Sequence, residues 1–298
     1  MKKSLILALL LSLFSCQQDS ELGSRNNPVK LYFTPSVDAG TIATNSQDFI
    51  RFLEKETGLY FKTGIPTNYI AVVEAFGSER ADIGVMNSFG YIMASEKYGA
   101  VAKLKVLRYG EPHYRGQILA HVDSGIKTIK DIHGKKFAFT DSSSTSGYMF
   151  PLKILRENKV EPSNTVFAMK HDNVVTMIYQ KQVDAGATYY SPPAADGKIR
   201  DARARVKIRF PDVEEKIKII DITDEIPNDP FVFRKGLSAK IADSFIAALK
   251  KYLLTDSGKK VFKDIYSVDG IVPATDNDYD VLRQMIKTID LDPSKMLK

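Results

Sequence analysis

The chain has 298 residues, 44% hydrophobic, 10% aromatic and 26% charged, with no tryptophan. This is ordinary globular composition, enough for one large or two medium domains. The formal charge of +6 is spread along the chain; it mildly favours anionic ligands and falls well short of a nucleic-acid signature.

The N-terminus reads MKK and then SLILALLLSLF, a charged segment followed by an apolar one of export-signal length, too short to span a bilayer stably. The single cysteine, Cys16, follows LFS directly. One cysteine excludes a disulfide within the chain. Its placement resembles a bacterial lipobox, in which the cysteine is lipidated and becomes the new N-terminus, although Phe14 is unusual two positions before it. Residues 1–15 are therefore expected to be a signal peptide and 16–28 a polar, lipidated tether. The expected location is the periplasmic or cell-surface face, anchored to a membrane through Cys16. Nothing later in the chain is apolar for long enough to cross one.

After the tether, VKLYFTP is a strand ending at Pro35, and NSQDFIRFLEKETG (45–58) has apolar residues at helical spacing with a glycine stop. NYIAVVEAFGSERADIGVM gives helix, turn and strand, AVAKLKVLRY another strand, and GQILAHVDS a strand and turn. IKTIKDIHGKKFAFTD reads as short helix, turn and strand, and VVTMIYQKQVDAGATYY as helix, turn and strand. KIKIIDIT is a further strand and SAKIADSFIAALKKYLL a strongly amphipathic helix. The basic run RDARARVKIR (200–209) is read as a solvated face in preference to a polyanion surface. Alternating strands and helices indicate α/β architecture with mostly parallel sheets.

ERADIGVMNSFGY and KQVDAGATYYSPP each place an aspartate before a short buried strand that ends in small polar or aromatic residues. This internal echo suggests two lobes on one plan. Ligands of open α/β sheets sit beyond the carboxyl ends of strands. Facing lobes would bring Asn87, Ser88, Thr188, Tyr189 and Tyr190 near a shared cleft.

The stretch FTDSSSTSGYMFP (139–151) joins a strand to a helix through five consecutive hydroxyl residues. A helix N-terminus carries unpaired N–H groups and partial positive charge, so Ser144, Thr145 and Ser146 there could cradle an oxyanion. Loop filler around one capping serine is the alternative. Gly147 would make room for the ligand, and Pro151 sits where its missing N–H costs least. The stretch lacks the lysine and spacing of a P-loop and the G-x-S-x-G of a nucleophile elbow. His113, His121, His133 and His171 show no metal-ligand spacing, so no metal, organic cofactor or catalytic residue is assigned.

The sequence DSSSTSGYMFP resembles the D-x-x-S-T-S-G-x-x-x-P signature of the phosphate/phosphite/phosphonate-binding proteins of bacterial ABC importers. FTPSVDAG, TNYIAVVEAF, ADIGVM, VDSGIKTIKDIHGKKFAFTD, HDNVVTMIYQKQVDAGATY and IPNDPFVFRKGL follow the family's order over most of the chain. The resemblance implies a type II periplasmic-binding fold of two hinged α/β lobes, 29–117 with 229–298 and 118–228. It implies a non-enzymatic carrier that closes on a small phosphorus oxyanion and presents it to a permease; a sensor component feeding a membrane signalling protein is the alternative. It also implies ligand-binding roles for Tyr69, Tyr114, Ser144, Thr145, Ser146, His171 and Asp229. Asn68 replaces the aspartate usual before Tyr69. Where aminophosphonate binders of the family place a glutamate, this chain has a neutral residue, Ser191, which points to a ligand without an amine.

Overall fold

The structure, a computed structural model, describes residues 20–289 and 291–297. The expected signal peptide and Cys16 lie outside the described residues.

The chain starts with β1 (Val29–Phe33) and α1 (Ala39–Thr57). Asp38 caps α1 by accepting from the Thr41 N–H, and Gly58 ends it in the left-handed conformation. β2 (Phe61–Gly64), α2 (Tyr69–Gly77), β3 (Ile83–Val85), α3 (Ser88–Tyr98) and β4 (Val101–Leu107) follow. Next come β5 (His113–His121), β6 (Lys136–Phe139), α4 (Phe150–Glu157), β7 (Asn164–Phe167), α5 (His171–Tyr179) and β8 (Ala185–Tyr190). A short α6 (Val213–Lys216) leads into β9 (Ile217–Pro227). The chain then returns through β10 (Pro230–Phe233), α7 (Ala239–Leu254), α8 (Asp256–Tyr266), β11 (Gly270–Pro273) and α9 (Asp280–Thr288).

These strands form a six-stranded sheet, β11-β4-β10-β3-β1-β2, and a five-stranded sheet, β7-β6-β8-β5-β9. The chain passes between them at 108–112 and again at 228–229. β5 pairs within the second sheet from His113 onward, ahead of the 117/118 division drawn from the sequence. The sheets are mixed, where the sequence suggested mostly parallel ones. β1 with β2 and β3, and β6 with β7 and β8, are parallel; β10, β11 and β5 pair antiparallel to their neighbours. The double crossing accounts for β5 and β10: each brings the chain into a lobe and runs against the strands built by βαβ units, while β4 and β9, which carry it out, run with them.

The internal echo has a physical basis. Asp82 accepts the Lys30 N–H at the start of β1 at 2.8 Å, and Asp184 accepts the Lys136 N–H at the start of β6, also at 2.8 Å. Each aspartate thus pins its own strand to the amino end of the neighbouring parallel strand, one in each sheet.

α1, α7 and α8 bury Phe49, Phe245, Leu249 and Phe262 against the first sheet. Two apolar clusters cover the second sheet, one around Phe137, Phe139 and Leu155, the other around Val174, Val175 and Ile178. A further cluster joins α2 and α3 to Met149 and Phe150 at the start of α4, so apolar packing is continuous between the lobes. Residues 20–28, expected to be tether, form a turn against the first sheet in which the Gly23 carbonyl accepts from Tyr60 N–H at 2.8 Å.

Candidate functional site

The cleft between the sheets lies beyond the carboxyl ends of β1, β6 and β8. Open α/β sheets place their ligands at such a position.

The hydroxyl stretch begins as β6 ends. Asp141 Oδ1 accepts from the Ser143 N–H at 2.9 Å and from the Ser143 hydroxyl at 2.7 Å, which folds the chain back. Ser144 caps the next turn by accepting from the Gly147 N–H at 3.1 Å. That turn, Thr145–Met149, is a π-turn leading into α4, not the plain α-helix expected. Ser144 and Ser146 line the cleft. Thr145 does not: its Oγ1 accepts from the Phe89 N–H at 2.9 Å and from Asn87 Nδ2 at 3.1 Å, both across the cleft at the start of α3. Gly147 also differs from expectation. A Cβ there would lie 2.2 Å from Thr140 Oγ1, so the missing side chain accommodates Thr140 and makes no room for a ligand.

From the first lobe come Tyr69 and Asn87. Asn68 caps α2 by accepting from Ala71 N–H at 2.8 Å, which sets Tyr69 as the first helical residue. The Tyr69 hydroxyl is buried without a partner among the described residues. Burial first, then the Asp141 and Asp229 carboxylates, hold its pKa far above the ordinary phenol value, so it remains a donor. Asn87 lines the cleft while also donating to the Ser143 carbonyl at 2.7 Å. Ser88 donates to the Pro227 carbonyl, away from the cleft.

His171 opens α5 with its ring edge-on to Tyr189, centroids 5.0 Å apart. Its Nδ1 lies 3.2 Å from Thr140 Oγ1, which donates to the Ala187 carbonyl at 3.1 Å. With the hydroxyl proton committed there, Oγ1 accepts from Nδ1–H, and Nε2 is the free nitrogen of a neutral ring. Burial, then Arg108 and Arg205, push the His171 pKa down to about 3. The neutral ring therefore accepts at Nε2 and suits a protonated ligand oxygen. Tyr189 and Ser191 line the cleft; Thr188 and Tyr190 do not.

Tyr114, the second residue of β5, follows the first crossing, and Asp229 lies in the second. The Tyr114 phenol lies beside the Ser146 and Thr145 hydroxyls, and burial, then Asp229, raise its pKa. Asp229 Oδ2 pairs with Arg108 Nη2 at 2.6 Å, while Oδ1 is buried without a partner.

Sequence reasoning missed several lining residues: Thr34, Ser36, Arg108, Tyr109, Arg200 and Arg205. Thr34 and Ser36 follow β1, so the rule about carboxyl ends of strands could have found them. Arg108 carried no sequence signal. Its Nε donates to the Tyr266 carbonyl at 2.8 Å, its Nη1 to Asn228 Oδ1 at 3.0 Å, and it lies over the Tyr114 ring at 5.5 Å. Burial opposes its charge, but the Asp229 carboxylate outweighs this and leaves its pKa above the usual value. Among the described residues, no group of three or more His, Cys, Asp or Glu side chains could hold a metal ion.

Residues 31–279 match a family model described as ABC transporter, phosphonate, periplasmic substrate-binding protein. The chain belongs to that family. Members of this family are substrate-binding proteins and not enzymes, and their place is the periplasmic side, where they work with a membrane permease. The phosphate-import protein PhnD of Mycolicibacterium smegmatis is 25% identical over 283 residues, covering 86% of this chain and 84% of its own. The fold is that of type II periplasmic binding proteins. It resembles the binding protein of an ABC phosphonate transporter from Pseudomonas aeruginosa (TM-score 0.77, 20% identity, 88% of this chain and 87% of that one). It also resembles PhnD1 from Prochlorococcus marinus in complex with methylphosphonate (TM-score 0.74, 15% identity, 88% and 98%).

Proposed function

We propose that this family member captures a small phosphorus oxyanion, whether phosphonate, phosphite or phosphate, without an amine, and that it does so while anchored to the membrane by lipid at Cys16. Tyr69, Tyr114, Ser144, Ser146, His171 and Asp229 hold the ligand, with Asn87, Tyr189 and Ser191 around them. The observation that carries this is the pair of buried, unpartnered groups in one cleft, the Tyr69 hydroxyl and Asp229 Oδ1. A buried polar group without a partner is costly, and a ligand offering both an oxygen and an O–H satisfies both. Ser144 and Ser146 add hydroxyls beside the first turn after β6. Capture without chemistry follows, because the ligand bridges both lobes and shifts them toward the closed form that a permease reads.

The amine-free reading rests on charge. Asp229 is the only carboxylate lining the cleft among the described residues, against Arg108, Arg200 and Arg205. An ammonium group would meet three guanidinium groups against that one carboxylate, whose Oδ2 already pairs with Arg108. The anchor reading is supported by direction: the chain enters β1 at Val29, while the cleft lies beyond Phe33, roughly 16 Å away along the strand. A tether from that end leaves the cleft open.

Titration calorimetry on the mature, unlipidated chain tests the ligand. Phosphate, phosphite or methylphosphonate should bind tightly, and Ser144→Ala with Ser146→Ala should weaken binding by about tenfold or more. Tight binding of 2-aminoethylphosphonate alone would overturn the reading. Cys16→Ser should move the protein from the membrane to the soluble fraction.

A further inference from the structure

We propose that Arg200 and Arg205 form a second anion subsite at the mouth of the cleft, so that the preferred ligand is a phosphonate whose organic substituent ends in a carboxylate. This rests on the capture reading above and names the substrate class of the same site.

Both guanidinium groups line the cleft, and neither enters an ion pair among the described residues. Arg108, by contrast, is neutralised by Asp229. The two outer arginines are thus uncompensated cations over an opening whose inner end suits an oxyanion. Arg205 donates from Nη1 to the Asp264 carbonyl at 3.1 Å and from Nη2 to the Ser267 hydroxyl at 3.2 Å, neutral groups of the first lobe at the end of α8. Its Nε is 3.4 Å from the Tyr189 hydroxyl, a long and weak contact.

Arg200 lies over the Tyr109 ring at 4.4 Å. Tyr109 and Gly110 have φ of 57° and 80°, in a turn closed by Arg108 N–H to the Glu111 carbonyl at 3.0 Å and by the reciprocal bond at 3.1 Å. Left-handed backbone at a bulky aromatic residue costs on the order of 1 kcal/mol. The fold carries that cost where it sets a ring beneath a guanidinium.

The route from the inner site to this pair is also defined. Tyr189 packs its ring on His171 and brings its hydroxyl to Arg205. A substituent must therefore run the length of one phenol side chain, which calls for a spacer of at least two carbons. A terminal carboxylate would meet two cations there and a terminal ammonium would be repelled, in keeping with the neutral Ser191 nearby.

The competing account is that the arginines only latch the lobes through α8. Calorimetry with ligands that share a three-carbon chain separates the two: 3-phosphonopropionate, propylphosphonate and 3-aminopropylphosphonate, with methylphosphonate as reference. The carboxylate should bind about tenfold tighter than propylphosphonate, and the amine weakest. Arg200→Gln and Arg205→Gln should each weaken 3-phosphonopropionate several-fold more than propylphosphonate. Equal affinity for the carboxylate and the propyl ligand, or equal loss for both in the variants, overturns the subsite and leaves methylphosphonate capture standing. Failure of all four ligands and of phosphate overturns the capture reading and the subsite with it.

Discussion

Thr145 looks interchangeable with its serine neighbours in the sequence, but its hydroxyl accepts two hydrogen bonds from the opposite lobe. Thr145→Ala would leave the buried Phe89 N–H without an acceptor, at a cost of about 1–3 kcal/mol to the closed form. Thr145→Ser should restore most of that, which thermal melts and binding isotherms of the two variants would show. His171 makes a pH prediction. Its folded value of about 3 lies below the ordinary 6.5, so between those values the unfolded chain binds a proton that the folded chain does not. Its contribution is therefore fully present above about pH 6.5 and is lost as pH falls, by up to about 1.4 kcal/mol per pH unit. Denaturant unfolding at pH 7 and at pH 4.5 should show a smaller loss in His171→Gln than in the unsubstituted chain. The sequence made Ser144 and Ser146 legible because a cap and a cradle are local arrangements. It hid the arginines because their roles are tertiary. Within one basic run Arg203 is buried against Asp201 at 2.8 Å, Ile208 is 99% exposed, and Arg200 and Arg205 face the cleft.

At the scale of elements, the chain-order reading located β1, β4, β9 and α7 closely and missed the short strands β2, β7 and β11. Four-residue strands carry too few side chains for a period to register. The π-turn at Thr145–Met149 was also beyond pattern reading, because it depends on the approach of Gly147 to Thr140 across the end of β6. Gly147→Ala should destabilise the protein by roughly 1–3 kcal/mol through overpacking, read as a lowered denaturation midpoint. Thr140→Ala would not relieve it, because the Thr140 Cβ itself would lie 2.5 Å from the new atom.

Across the whole molecule, the lobes meet through Asn87 and Phe89 on Ser143 and Thr145, Arg205 on α8, Arg156 on the Ile289 carbonyl, and Lys170 with Asp38 at 3.7 Å. Parting the lobes would break these contacts, so they add to the population of the binding-competent form. Apparent affinity scales with that population. Asn87→Ala removes the bonds to Ser143 and Thr145 and should weaken every ligand by a similar factor, with a larger radius of gyration in solution scattering. A variant that altered ligand preference would instead place Asn87 in direct recognition. The two-lobed plan was legible because both halves repeat one strand-and-aspartate device; the closing contacts were not, since each joins residues far apart in the chain.

The unpartnered Oδ1 of Asp229 has a further consequence. Sulfate matches phosphate in size and shape but is fully deprotonated near neutral pH, and so has no O–H to offer that oxygen. A buried carboxylate facing it repels the ion instead of binding it. In water rich in sulfate and poor in phosphorus, one acceptor without a donor would keep the cleft free for the scarcer ion.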